Sequence, residues 1–249
     1  MRFNHIFKLT NENETHREYK CDNVNINIDF ISGSALRIAV FNDNAEMLPT
    51  FTVNPNNNLS SLGRSRLSVD GFNCVAPVVE KFENREKFVL DCGVTVDLDL
   101  NNFILSYSKG SKLLFADRAP LAYNFEGEFG NGSYHYITRE DDEHIFGLGD
   151  KSGLINKAGQ VYRVETADSM GFDAEKTDPL YKHVPFYICE NSVGAYGIYY
   201  DTTDTSFVDL GREINNYYCH FKYFKTDDDC LVYYVFFGSK LSVLQQYAR

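Results

Sequence analysis

The chain has 249 residues and carries 24 Lys+Arg against 35 Asp+Glu, a formal net charge of −11. With no basic block to offset it, this balance argues against nucleic acid or a membrane surface as a partner, since polyanions are bound through Lys and Arg. The longest apolar runs, such as 232–237 and 103–105, fall far short of the roughly 18 residues of a spanning helix, and the start, Met1-Arg2-Phe3-Asn4-His5, lacks an apolar signal-peptide core, so a soluble cytoplasmic protein is the expectation.

Hydrophobic content of 43% and charged content of 24% suit a globular chain and exclude wholesale disorder. The aromatic complement is skewed to 20 Phe and 17 Tyr with no Trp. Those residues favour strands, where flat rings pack on a pleated surface.

In chain order, the first clear period-2 stretch is Val24-Asn25-Ile26-Asn27-Ile28-Asp29-Phe30, apolar on one face and Asn/Asp on the other. It reads as a half-buried strand. A Ser-Gly-Ser turn leads to Leu36-Arg37-Ile38-Ala39-Val40-Phe41, which predicts a hairpin. The polar stretch 54–66 reads as a surface loop within one sandwich rather than a domain boundary, because similar strand patterning resumes beyond it. Segments 94–100, 103–107 and 113–116 follow, separated by Asn101-Asn102 and by Ser108-Lys109-Gly110-Ser111-Lys112. Aromatic-rich strands are then predicted at 134–138, 184–190, 195–200, 206–210, 217–224 and 230–237. Strands at this spacing, with almost no 3.6-residue periodicity, predict an all-β antiparallel sandwich. The exception is the C-terminus: Ser239 can N-cap a helix over 240–249 with Leu241, Leu244 and Ala248 on one face. Its apolar pattern is still running at Arg249, so the sequence is expected to stop short of a natural terminus.

Cys21, Cys74, Cys92, Cys189, Cys219 and Cys230 include no C-x-x-C pair and are expected as unpaired thiols, mostly buried in strands. The six histidines, at 5, 16, 135, 144, 183 and 220, form no H-x-H or H-E-x-x-H. Neither a metal nor an organic cofactor is implied.

Five segments in order carry a resemblance. They are Phe146-Gly147-Leu148-Gly149-Asp150-Lys151, Leu154-Ile155-Asn156-Lys157-Ala158-Gly159, and Asp178-Pro179-Leu180-Tyr181-Lys182-His183-Val184-Pro185-Phe186, then Gly194-Ala195-Tyr196-Gly197-Ile198-Tyr199-Tyr200-Asp201 and Leu231-Val232-Tyr233-Tyr234-Val235-Phe236-Phe237-Gly238. Together they resemble the N-terminal β-sandwich of glycoside hydrolase family 31, the α-glucosidase and α-xylosidase family, over about residues 85–249. The family's G-L-G-E has Asp150 in its last place here, and Glu165 stands where the family carries a Trp. The resemblance implies a galactose-mutarotase-like supersandwich over 1–238, with 239–249 beginning the helix that leads into a (β/α)8 barrel. The family's catalytic Asp pair sits on that barrel, about 5–5.5 Å apart as in retaining glycosidases generally. No matching motif or β/α alternation occurs here, so this chain is expected to lack catalytic residues. Its implied role is to brace the barrel and wall one side of the pocket for an α-glucoside or α-linked oligosaccharide, with self-association a possible consequence of an uncovered docking face.

In the family a loop of the sandwich offers an Asp to sugar hydroxyls. Asp168 and Asp173, in loop 164–177, are the candidate substrate-binding residues, since a carboxylate accepts two or more hydrogen bonds from adjacent OH groups. Gly147-x-Gly149 reads as a tight turn into a strand rather than a phosphate loop. Tyr181, Pro185 and Phe186 are expected to hold the fold. Two alternatives remain: a plain carbohydrate-binding module, and a stand-alone aldose mutarotase whose proton donor and acceptor would come from His135, His183, Glu126 or Glu128.

Overall fold

The computed structural model describes residues 5–55, 60–124, 132–215 and 219–248. The first four strands, β1 (Lys8–Glu12), β2 (His16–Cys21), β3 (Val24–Ser32) and β4 (Ala35–Asn42), run as an antiparallel meander. After the long segment 43–77 comes a second meander: β5 (Val78–Lys81), β6 (Arg85–Val89), β7 (Val94–Asp99), β8 (Ile104–Lys109) and β9 (Lys112–Ala116). Next are β10 (Tyr123–Asn124), β11 (Ser133–Thr138), β12 (His144–Gly147), β13 (Val161–Val164) and β14 (Phe186–Glu190). The last elements are β15 (Ala195–Tyr200), β16 (Ser206–Asn215), β17 (Cys219–Thr226), β18 (Cys230–Gly238) and α1 (Lys240–Tyr247).

These strands form an eight-stranded sheet, β1-β2-β3-β4-β18-β15-β14-β12, and two five-stranded sheets, β10-β11-β17-β16-β13 and β5-β6-β7-β8-β9. The two smaller sheets meet at a bridge between Asp117 and Ile137 and together face the large one. Alternation along each strand explains the packing. Leu231, Tyr233, Val235 and Phe237 of β18 point into the layer between the sheets. There Phe30 meets Phe88 at 5.1 Å, Tyr196 stacks on Phe115 at 3.9 Å and Tyr200 stacks on Phe224 at 3.6 Å.

The predicted strands of β3 and β4 are present, but they are not half-buried. Their polar outer face is covered too: Asp29 is 2% and Arg37 1% exposed. The cover is the 43–77 segment with α1, under which Val232, Tyr234, Phe236, Phe186 and Val243 form a second apolar layer with Phe72 and Leu67. The loop is held by polar contacts from the sheet. Arg37 donates Nε and Nη2 to Asp29 Oδ2 (3.0 and 2.7 Å), and its guanidinium also donates to the carbonyls of Arg66, Leu67 and Ser68 at 2.6–2.7 Å. Thr50 donates to Asp201 at 2.6 Å, and Arg66 pairs with Asp228.

Other differences are local. The short strands β1, β2, β5, β6, β10, β12 and β13 have no clear apolar alternation in sequence, and pairing to neighbours forms them. Strand β17 is described only from Cys219, so part of the predicted 217–224 strand lies outside the described residues. Of the five cysteines described, all are free, but only Cys189 and Cys230 are buried; Cys21, Cys74 and Cys92 are half-exposed because they lie at strand ends or in loops. Ser239 caps α1 by accepting the Ser242 N–H at 3.2 Å. The face with Leu241 and Leu244 is exposed at 65% and 48%, while Val243 packs on the sheet beside Gly197.

Three outcomes test this arrangement. Arg37→Ala would leave the buried Asp29 Oδ2, and the carbonyls of residues 66–68, without their donor, and should cost about 3–5 kcal/mol in urea unfolding. Removing the exposed Arg85–Asp97 pair by Arg85→Ala should cost less than about 1 kcal/mol. His16 Nδ1 lies 2.7 Å from Asp29 Oδ1, and this hydrogen bond, opposed by burial and helped by Glu18, raises its pKa above 6.5. Its stabilisation is therefore full below the unfolded-state value and is lost as pH rises through the higher folded-state value. A denaturation series across pH 6–9 should show that downward step in the wild type, and His16→Gln should remove it.

Candidate functional site

The candidate site is built on two loops, 148–160 after β12 and 165–185 between β13 and β14. Glycines end β12 rather than leading into a strand. Gly147, Leu148 and Gly149 all have positive φ (127°, 64° and 71°). A Cβ on Gly147 would stand 2.6 Å from the Phe186 carbonyl oxygen, so the close approach of the next strand requires glycine there.

From this turn the first loop is pinned by Asn156, whose side-chain oxygen accepts the N–H groups of Ile145 (2.9 Å) and Ala158 (3.2 Å). The two loops are tied together by Lys151, whose side chain is 0% exposed. Its ammonium donates to Asp178 Oδ1 at 2.9 Å and to the Arg163 carbonyl, while Asp178 Oδ2 accepts the Arg163 N–H. A second ammonium, on Lys157, donates to the Ser152 carbonyl at 3.1 Å and lies 5.2 Å from the Tyr162 ring centre. Burial, and next the neighbouring Lys151 charge, push its pKa down. Gly153 N–H donates to the Ala174 carbonyl at 2.9 Å, bringing the two loop tips together.

Asp168 and Asp173 are both exposed on the second loop. They differ in what they hold. Asp173 Oδ1 accepts the Glu175 N–H at 2.8 Å and its carbonyl accepts those of Lys176 and Thr177, so it organises its own turn. Among the described contacts Asp168 uses only its carbonyl, toward the Met170 N–H. Its neighbours fix the backbone beneath it: Ala167 N–H to the Leu180 carbonyl at 3.1 Å, and Ser169 Oγ to the Pro179 carbonyl at 2.7 Å. The same two loops carry exposed apolar side chains: Leu154 (77%), Ile155 (81%), Met170 (87%) and Phe172 (53%). The surface thus combines carboxylate acceptors with uncovered apolar groups.

The other sequence candidates separate cleanly. Phe186 and Pro185 are buried, Phe186 stacking on Tyr247 at 3.8 Å, as expected of fold-holding residues. Tyr181 is instead 46% exposed and donates to the Ser169 carbonyl, bracing the loop. Glu165 pairs with Arg163 at 2.8 Å. Asp150 keeps one buried oxygen, Oδ1, without a partner among the described residues. His135 is 1% exposed between Asp117 (3.0 Å) and the Tyr200 hydroxyl (3.0 Å), inside the sandwich and closed to a sugar. His183 lies on the opposite side of the large sheet, where its Nε2–H donates to the Asp204 carbonyl at 3.0 Å. The two histidines therefore do not converge, and Glu126 and Glu128 lie outside the described residues. His183 borders a cavity of about 580 Å³ beside α1, walled by Phe72, Tyr199, Tyr234 and Tyr247, with no Lys, Arg, Asp or Glu among the described residues that line it.

Sequence reasoning missed Lys151, Lys157 and Asp178 as the struts of the site. All three lie within the quoted motifs, and a lysine two residues beyond a Gly-x-Gly turn was the available signal.

Comparison with known proteins gives a family model, the glycosyl hydrolase 31 N-terminal galactose mutarotase-like domain, matching residues 25–209. Alpha-glucosidase 2 of Bacillus thermoamyloliquefaciens is 27% identical over 143 residues, which are 57% of this chain and 17% of that protein. The GH31 dextranase of Flavobacterium johnsoniae complexed with glucose superposes with a TM-score of 0.77 at 23% identity, covering 98% of this chain and 27% of the dextranase. A glucosidase II alpha subunit superposes with a TM-score of 0.70 at 10% identity over 96% of this chain and 33% of its own. The chain thus spans a third or less of the length of these relatives.

The strut makes a direct prediction. Asp178→Ala removes the acceptor of both Lys151 and the Arg163 amide and should cost about 1–3 kcal/mol. Hydrogen exchange should quicken at Arg163 and across 165–180, with β15 and β18 unchanged.

Proposed function

Because the chain belongs to the N-terminal galactose mutarotase-like domain family of glycosyl hydrolase 31, we propose that it serves as a non-catalytic domain of a retaining α-glycosidase. In that reading it braces a catalytic barrel and lends one wall to the pocket for an α-linked glucoside or oligosaccharide. The observation that carries this is the pair of tied loops, which expose Asp168 and Asp173 together with Leu154, Ile155, Met170 and Phe172. Intra-chain domain interfaces bury on the order of 600–1,500 Å², and exposed apolar groups of this density suit such a contact. The exposed Leu241 and Leu244 of α1 offer a second part of the docking face.

Every strand pairing described is antiparallel, and the described residues hold a single helix, so the β/α unit that carries a retaining carboxylate pair is not among them. The chain by itself should therefore not hydrolyse aryl α-glucosides or α-xylosides. Turnover that co-purifies with it through successive columns would overturn the proposal. In an enzyme containing this domain, Asp168→Ala or Asp173→Ala should lower kcat/KM at least tenfold, about 1.4 kcal/mol. Asp168→Ala should leave the melting temperature unchanged within a few degrees. Normal kinetics in both variants would make the loop a bystander. The uncovered face should also drive concentration-dependent self-association of the chain in sedimentation velocity.

A second reading, a carbohydrate-binding module, is favoured by the uncharged aromatic cavity beside α1, since neutral sugars offer CH faces for stacking and hydroxyls for neutral polar groups. Saturable binding of a maltooligosaccharide to the chain alone, lost on filling the cavity by Val53→Trp, would select that reading.

A further inference from the structure

A cluster of metal-ligand type lies far from the loops, at the free edge region of the large sheet. His5 precedes β1, Cys21 is the last residue of β2, and Asp22 opens the turn into β3 with φ +52°. Cys21 Sγ lies 3.8 Å from His5 Nδ1 and 3.9 Å from Asp22 Oδ2, and His5 Nδ1 lies 3.8 Å from Asp22 Oδ2. Among the described residues this is the one group of three or more such side chains whose donor atoms all lie within 4.8 Å of one another.

The triangle is nearly equilateral and close to a required size. Zinc bonds of about 2.0–2.3 Å at tetrahedral angles place N, O and S donors about 3.3–3.6 Å apart. The observed edges exceed this by a few tenths of an ångström, a shift within reach of side-chain rotation, since His5 and Asp22 are 45% and 80% exposed. The backbone beneath them is fixed. His5 N–H donates to Asn102 Oδ1 at 3.2 Å, its carbonyl accepts the Asn102 N–H at 2.7 Å, and Phe7 N–H donates to the Leu100 carbonyl at 3.0 Å. Cys21 is held in the β2–β3 ladder opposite Val24.

We propose that His5, Cys21 and Asp22 form a binding site for Zn²⁺, with water completing the coordination. The donor set decides the metal. One thiolate and one imidazole select zinc-like ions over Mg²⁺ and Ca²⁺, which require oxygen ligands. The thiol binds as thiolate and releases its proton to solvent. An ion here staples the segment before β1, whose backbone bonds run to Leu100 and Asn102, to the β2–β3 turn. Three protein ligands on an open surface give micromolar affinity rather than that of a closed four-ligand site. The proposal is independent of the sugar reading.

The test uses the full chain, reduced and freed of metal, with Co²⁺ and Zn²⁺ as probes. Co²⁺ should bind at one equivalent with a thiolate-to-cobalt charge-transfer band in the near ultraviolet, and Zn²⁺ should displace it. Zn²⁺ should also raise the melting temperature by a few degrees. Cys21→Ser should abolish the band and the thermal shift, and His5→Ala should weaken Zn²⁺ binding at least tenfold. Cys92→Ser, a half-exposed thiol elsewhere, should change neither. Both surface variants should melt as the wild type does without metal, which confirms folding. Absence of a saturable cobalt signal, a band that survives Cys21→Ser, or one removed by Cys92→Ser would overturn the assignment.

Discussion

The structure depends on a polar contact in an apolar setting: the guanidinium of Arg37 on the outer face of the eight-stranded sheet. Both faces of that sheet's central strands, β3, β4, β15 and β18, are buried, one against the smaller sheets and the other under described residues of segment 43–77 and α1. The described residues of this segment form no strand, only the Thr50–Arg64 bridge, so its buried carbonyls must find other donors. Arg37 supplies them to three successive residues, 66–68, while Asp29 neutralises it. An arginine fits where a lysine would not, because its planar fork addresses a carboxylate and several carbonyls together. The cation and its partner are costly to bury, so the pair specifies where the segment lies more than it adds stability.

The same device recurs on the inner side and at the loops. Lys222, 1% exposed, donates to both oxygens of Glu143 and to the Tyr196 hydroxyl at 2.6–2.8 Å, tying β17 to the large sheet. Around it burial pushes the Cys189 thiol up to about 12, so that sulfur stays protonated and packs as an apolar group. Lys151 does the equivalent work at the loops. One ammonium, enclosed by Asp178 and the Arg163 carbonyl, keeps two otherwise exposed segments in register. Within that frame the Ala167 and Ser169 bonds to Leu180 and Pro179 fix the backbone beside Asp168, while its carboxylate stays in water.

The strands with strong alternation, β3, β4, β7, β15 and β18, were legible because one face of each lines the inter-sheet core and period 2 records that directly. The helix and its Ser239 cap were legible for a similarly local reason. Edge strands such as β1 and β5 were not, since their residues are mostly exposed and pairing alone makes them strands. The family resemblance located the loops and the two acids, but not the contrast between them. That Asp173 caps its own turn and Asp168 does not depends on hydrogen bonds four residues or fewer in span, yet set by the loop's path.

By itself the amino-acid sequence determined the all-β class, the antiparallel pairing of neighbours, the terminal helix and the family, because these rest on short-range periodicity, turn residues and motif order. Only the tertiary structure decided that the polar side of β3 and β4 is buried, that Lys151 joins two loops through Asp178, that His135 is sealed inside the sandwich, and that His5 meets Cys21 across 16 residues. The physical reason is common to all four. Each depends on which segment covers or approaches a given face, and a residue's own neighbours in sequence carry no record of a partner brought to it from elsewhere in the chain.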